Sequence, residues 1–278
     1  MNSRKKQELK INIVSHILLM AGAVIMLVPF IWMLCSSFKD LGEVFQYPPV
    51  LFGKRLVWEN YTKITERFDF FAYFMNSIKV SIWIVFFQVF TSAIAGYVFA
   101  KMNFKGRDKI FVLYLATMMV PFHITTIANY LQMSWYGLVN TLWSLMLPAT
   151  VSAFGTFLMR QFFITVPNEL IESAKIDGCN PFGTFFRICL PLAKPSLTTL
   201  GIFSFMNAWN DYFTPLVYLN NMKYYTLPIG LATMKGKYST DWPVLMAASV
   251  ISVLPVIIAF LCAQDVFVKG VMLSGMKG

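Results

Sequence analysis

The sequence predicts an all-α, polytopic membrane protein: about six transmembrane helices forming a single domain over residues 1–278, with a polar helical loop on the cytoplasmic side after the fourth span. Three observations predict it. Hydrophobic residues make up 57% of the chain and charged residues 13%, and the mean hydropathy is +0.61, well outside the range of a water-soluble domain. Six apolar stretches approach the roughly 20 residues that cross a roughly 30 Å hydrocarbon core. Finally, Lys and Arg gather in alternate flanks of these stretches, as expected when positive charge is held back on the cytoplasmic side during insertion.

The first stretch is an N-terminal span over residues 13–38. Its basic start resembles a secretory signal, but the apolar run is too long. It also ends in Pro29-Phe30-Ile31-Trp32-Met33-Leu34-Cys35, which offers neither small residues for cleavage nor the small pair that precedes a lipidated cysteine, so the expectation is a retained span. The core spans lie within 74–268, at about 74–100, 110–131, 142–163, 197–219 and 244–268. Pro29, Pro121, Pro148, Pro215 and Pro255 fall inside spans, and kinks are expected there, because neighbouring helices in a bilayer can satisfy the carbonyls that proline frees.

Orientation follows from the flanks. With the N-terminus inside, Arg4, Lys5, Lys6 and Lys10, then Lys101, Lys105, Arg107 and Lys109, then Arg160, Lys175, Arg187 and Lys194, then Lys269 and Lys277 are cytoplasmic. Fourteen basic residues thus face inward and eight outward, with Lys79 left to snorkel from one turn inside the second span. Both termini and the loop at 160–195 are therefore expected in the cytoplasm, in a multi-pass protein of the cell membrane. Placed in this way, the net charge of +10 marks orientation and calls for no nucleic acid partner.

Catalytic chemistry finds no footing. Cys35, Cys179, Cys189 and Cys262 show no CxxC spacing, and with only His16 and His123 they assemble no metal site; they read as small apolar packers. There is no Gly-x-Ser-x-Gly elbow and no Gly-x4-Gly-Lys-Ser/Thr loop, so no catalytic residue and no cofactor is expected, and nucleotide energy has to come from a partner. Aromatic residues, 17% of the chain, read mainly as lipid-facing and interfacial packing, and His123 as a polar packing residue beside Pro121.

The loop at 160–195 carries Arg160, Glu169, Glu172, Lys175, Asp177, Arg187 and Lys194, which would cost several kcal/mol in lipid and so place it in water. Pro167 starts a short helix, Asn168-Glu169 suits its first turn, and Leu170, Ile171, Ala174 and Ile176 form an apolar strip. Gly178 frees the turn at its end, Asn180-Pro181 punctuates, and a second helix runs over 182–190 toward Pro191. Amphipathicity alone serves equally well for an ordinary surface helix pair. The spacing is more specific. Glu172-Ser173-Ala174, Gly178, Ile188, Leu190 and Pro191 resemble the EAA motif of ABC importer permeases, the loop through which the membrane subunit grips its ATPase, with Ser173 in place of the first Ala.

The resemblance extends over nearly the whole chain and narrows to the second permease of the maltose-transporter type. It rests on Met119-Val120-Pro121-Phe122, Gly137-Leu138-Val139-Asn140-Thr141, Phe157-Leu158-Met159-Arg160-Gln161-Phe162-Phe163, Ile176-Asp177-Gly178, Trp209-Asn210-Asp211-Tyr212, and the tail Phe267-Val268-Lys269-Gly270 with Lys277-Gly278. Asp265 departs from the basic residue common there. The resemblance implies a heterodimer with a second permease subunit, two cytoplasmic ATPase subunits and an extracytoplasmic sugar-binding protein, with a sugar or oligosaccharide as cargo. It also implies a coupling role for Glu169, Glu172, Ser173, Ala174, Asp177, Gly178, Ile188, Leu190 and Pro191, and contact of the tail with the ATPases.

In the fifth span, Asn207, Asn210, Asp211 and Thr214 recur at i, i+3, i+4 and i+7 and so share one face of a continuous helix. An Asp there is expensive unless the face meets water or a partner. With Trp209 and Tyr212 beside them, Asn207, Asn210, Asp211 and Tyr212 are candidate substrate-path residues; helix-to-helix hydrogen bonding with the second permease is the competing reading. An ion-coupled secondary transporter is the alternative function. It calls for paired intramembrane carboxylates and a repeated half, whereas Asp211 stands alone near mid-span and no segment recurs.

Overall fold

A computed structural model describes residues 3–236 and 240–275, with side chains described for 12–66, 68–236 and 240–264. Among the described residues every regular element is helical, apart from one isolated bridge between Lys235 and Thr240. Lys277 and Gly278 lie outside the described residues. The side chains of Arg4, Lys5, Lys6, Lys10, Asp265 and Lys269 lie outside those described. The chain divides into two compact units, residues 1–69 with 233–253, and residues 70–232 with 254–278.

In the first unit, α1 (Ser3–Ser36) runs unbroken through Pro29. Most of its apolar side chains are exposed: Ile25 is 72% exposed and Met26 76%, the signature of a surface made for lipid. The following loop carries α2 (Leu41–Val44) and α3 (Glu59–Arg67) and is tied together by buried polar groups. Lys39 is fully buried, with its Nζ donating to the Val50 carbonyl at 2.5 Å and lying 4.3 Å from the Trp32 ring centroid. A carbonyl and a π face together replace the water that the ammonium loses. Asn60 donates to the carbonyls of Ser37 and Lys39, each at 2.9 Å, closing the loop onto the end of α1.

The second unit is organised around α4 (Phe70–Lys101), which packs against α8 (Ala153–Thr165) and α12 (Lys194–Asn210). Close approach to α8 depends on Gly96, where a Cβ would sit 2.6 Å from the Cβ of Met159 and 2.8 Å from the Arg160 nitrogen. Small residues at such a crossing are the usual means by which membrane helices gain contact. Polar side chains then join the helices. Gln88 donates to the Ala149 carbonyl at 2.8 Å and accepts from the Ser204 hydroxyl at 2.8 Å, while Thr91 donates to the Thr150 carbonyl at 3.1 Å. These bonds repair the backbone where Pro148–Thr150 narrows to a 3-10 turn and Val151–Ser152 is extended, so the fourth span is interrupted between α7 (Trp143–Met146) and α8. Ser152 restarts the helix, its hydroxyl accepting from the Gly155 N–H at 3.0 Å.

Three helical segments are long and apolar enough to cross a membrane, Asn12–Ser36, Phe70–Lys101 and Trp242–Gln264, and three bent pairs raise the number to six among the described residues. With each bent pair taken as one span the count reaches the expected six, but three spans differ from the continuous helices expected, the fourth at Pro148–Ser152 and two more. The third is α5 (Arg107–Ala116), prolonged as far as Met119 and then turned by 98° into α6 (Phe122–Trp135). Pro121 supplies no N–H and holds Val120 extended, which ends the first leg. The fifth ends at Asn210. Asp211 is extended, and α13 (Phe213–Tyr218) follows as a separate helix. In α15 (Trp242–Gly275), by contrast, Pro255 is absorbed without a break. The remaining elements are α9 (Asn168–Ile176), α10 (Pro181–Thr184), α11 (Leu190–Leu192) and α14 (Leu227–Thr233).

Candidate functional site

After α8 the chain turns by 76° into α9, and α10 to α11 turn by another 76° into α12, so the predicted loop is an elbow of two short helical arms. Pro167 enters α9, Glu169 lies in its first turn and Lys175 in its last, each complementing the helix dipole. The C-terminus closes as a Schellman motif. The Cys179 N–H donates to the Ala174 carbonyl at 2.8 Å and the Gly178 N–H to the Lys175 carbonyl at 3.0 Å, with Gly178 in the left-handed region at φ +81°. Asn180 caps the next arm, its side chain accepting from the Gly183 N–H at 2.7 Å. A π-helical turn, Phe185–Cys189, precedes Pro191, which has no N–H to continue an α-helical ladder.

The inner face of the elbow is anchored. Ile171 joins Phe163, Val166, Phe185, Cys189 and Ala193 in one apolar cluster at the end of α4, and Ala174 is buried beside it. The predicted apolar strip is therefore split: Ile171 and Ala174 point in, whereas Leu170 is exposed and Ile176 is 86% exposed. A strip of four was too wide for a nine-residue helix that packs on one side only. Glu169, Glu172, Ser173, Asp177 and Gly178 all lie on the outer face, Pro191 is exposed, and Ile188 and Leu190 are half-buried. Phe182, 74% exposed, adds an aromatic knob to the same elbow that sequence reasoning did not single out. The elbow thus offers carboxylates and apolar knobs on a base set by the packed face.

The fifth-span residues are brought together differently from expectation. Because α12 stops at Asn210, Thr214 does not continue the face of Asn207 and Asn210. The carboxylate of Asp211 instead accepts from the Thr214 N–H at 3.1 Å and caps α13. Asn207, Asn210 and Tyr212 are exposed, Asn210 returning its amide to the Met206 carbonyl at 2.9 Å. Trp209 is buried, its ring 5.4 Å from Phe74 and 5.6 Å from Phe205, and so offers no stacking platform. His123 packs edge-on against Phe213 at 4.6 Å, matching its expected packing role.

Interrupted apolar spans joined by an elbow of exposed carboxylates define a polytopic helical membrane protein. Residues 88–273 match the family described as binding-protein-dependent transport system inner membrane component, and the chain belongs to that family. It is similar to the arabinooligosaccharides transport system permease protein AraQ of Halalkalibacterium halodurans, at 36% identity over 92% of this chain and 93% of that one. It is also similar to the diacetylchitobiose uptake system permease protein NgcG of Streptomyces coelicolor, at 32% identity over 90% and 84%. Among solved structures, a bacterial ABC transporter involved in the import of the acidic polysaccharide alginate shares the fold, with a TM-score of 0.83 at 24% identity over 95% of this chain and 98% of that one. The relatives are named as permease proteins of transport and uptake systems, which favours the permease reading over the ion-coupled alternative.

Proposed function

We propose that the chain is the second permease subunit of an ATP-driven importer that moves a sugar or oligosaccharide across the cell membrane by alternating access. The observation that carries this reading is the elbow at 169–191: a register resembling the ATPase-gripping loop is realised as an exposed helix with a buried underside and a left-handed glycine at its end. The family match and relatives whose names specify arabinooligosaccharides and diacetylchitobiose support the transport class and the cargo class. A solved alginate transporter of this fold in complex with a periplasmic protein, matched at a TM-score of 0.66, supports a docking partner outside the membrane.

On this reading Glu169, Glu172, Ser173, Asp177, Gly178 and the exposed Pro191 meet two ATPase subunits, while Ala174, Ile188 and Leu190 hold the elbow to the spans. A second permease completes the pathway, both termini lie in the cytoplasm, and ATP is hydrolysed by the partners. Movement of the elbow as the ATPases close tilts the spans between inward-open and outward-open states. Co-purification in mild detergent tests the reading: a stoichiometric ATPase accompanies the chain, and a lone chain that transports on an ion gradient would overturn it.

A further inference from the structure

The geometry points to Lys101 as a clamp that makes the docking helix α9 and the end of α4 one rigid lever, with Arg160 tying α8 to the same end of α4. Lys101 is the last residue of α4, and its ammonium leaves that helix to donate to the Val166 carbonyl at 2.6 Å and the Asn168 side-chain oxygen at 2.8 Å, the two residues that flank the entry proline of α9. Arg160 reaches the other way. From α8 its Nε donates to the Phe99 carbonyl in the last turn of α4 at 3.3 Å, its Nη2 donates to Asp108 at 3.1 Å, and its guanidinium lies 4.2 Å from the Phe111 ring centroid. Both cations line a polar notch of about 560 Å³ beneath the start of α9, together with Arg107 and Glu169. Such a notch resembles an anion site. However, Lys101 is turned to two neutral oxygens at the entry of the elbow, and both arginines share Asp108 of α5, so Lys101 holds the elbow while the arginines join α8 to α5.

The consequence is mechanical. Ile171 and Ala174 hold the middle of α9 through burial, and the ammonium fixes its entry at two points by directional, charge-assisted bonds. A push on α9 then moves the end of α4, and through the Gly96 crossing and the Gln88 bonds it reaches α8 and α12. Lys101 is thereby a positioning residue for the coupling proposed above, and the inference rests on that reading.

The test uses the whole transporter with its ATPases, in a background without the four native cysteines, carrying nitroxide labels at positions 102 and 175, both exposed in the structure. Distances are measured without nucleotide and after trapping with MgATP and vanadate. The wild type is expected to keep one distance in both states. Lys101→Met is expected to raise the population of a second, detached distance about tenfold in the trapped state, as loss of a charge-assisted hydrogen bond predicts. Asn168→Ala falls between the two, and Lys101→Arg restores the single distance. A wild-type distance that changes with nucleotide, a Lys101→Met variant identical to wild type, or failure of Lys101→Arg to restore overturns the clamp. Failure of the docking reading shows up separately, as absence of any ATPase in the wild-type preparation.

Discussion

At Gly178 a side chain would meet no neighbour within 4 Å, so the demand for glycine there is one of backbone and not of space. At φ +81° any L-residue with a Cβ costs about 1–2 kcal/mol, and the Schellman bonds to Ala174 and Lys175 are the contacts that relax. Gly178→Leu and Glu172→Lys are each expected to leave membrane levels unchanged and abolish uptake, the first by reshaping the end of α9 and the second by reversing a charge on its outer face. Uptake by cells carrying the complete transporter, with immunoblots of their membranes, checks both; normal uptake by both variants removes the coupling role. Ala174 lies on the opposite face, 3% exposed, and Ala174→Leu is expected to lower stability by about 1–3 kcal/mol through overpacking, read as a fall in Tm in detergent. Asn207→Ala and Asn210→Ala test the substrate path, since exposed amides that line it alter uptake kinetics or sugar selectivity when removed. That Ala174 would be buried and Glu172 free was legible from their spacing. The burial of Trp209 was not, because it depends on Phe74, more than a hundred positions away.

The interruption of the fourth span has partners that make it tolerable. The 3-10 turn at Pro148–Thr150 exposes carbonyls that lipid cannot satisfy, and Gln88 and Thr91 of α4 take them up. Gln88→Leu is expected to cost about 1–3 kcal/mol, because the Ala149 carbonyl and the Ser204 hydroxyl lose their shared partner at once. Thermal unfolding in a single detergent checks this, and an unchanged Tm would show that water replaces the amide. Gly96→Leu is expected to be worse still, since the backbone of α8 cannot withdraw by the necessary distance without separating the helices. Element boundaries follow the same logic. The apolar runs at 13–38, 74–100 and 244–268 correspond to the helices at 3–36, 70–101 and 242–275, whereas the 98° turn at Pro121 and the stop at Asn210 were read as kinks or not at all. Proline at position 255 passes unbroken and at 121 does not, a difference that the expectation of a kink at each did not separate.

For the molecule as a whole, orientation is the proposal most exposed to refutation. Cys179, at the end of α9, is expected to react with a membrane-impermeant thiol reagent in opened vesicles and not from outside intact cells, in a variant from which the other three cysteines are removed. Labelling from outside would invert the topology and leave the elbow on the wrong side of the bilayer. Composition and apolar run length determined by themselves that this chain spans a membrane about six times and where along the sequence its polar elbow falls. Each of those properties is summed over a local stretch and reflects transfer from water to lipid, which needs no knowledge of neighbours. The register from Glu172 to Pro191 carried the likeness to an importer permease for the same reason, being contained within twenty residues. Tertiary structure alone decided that Asp211 caps a helix instead of continuing a polar face, that Ile176 points outward, and that Lys101 bolts the elbow to the end of α4. These outcomes depend on contacts between segments far apart in the chain, where a single hydrogen bond or a missing Cβ outweighs any local preference.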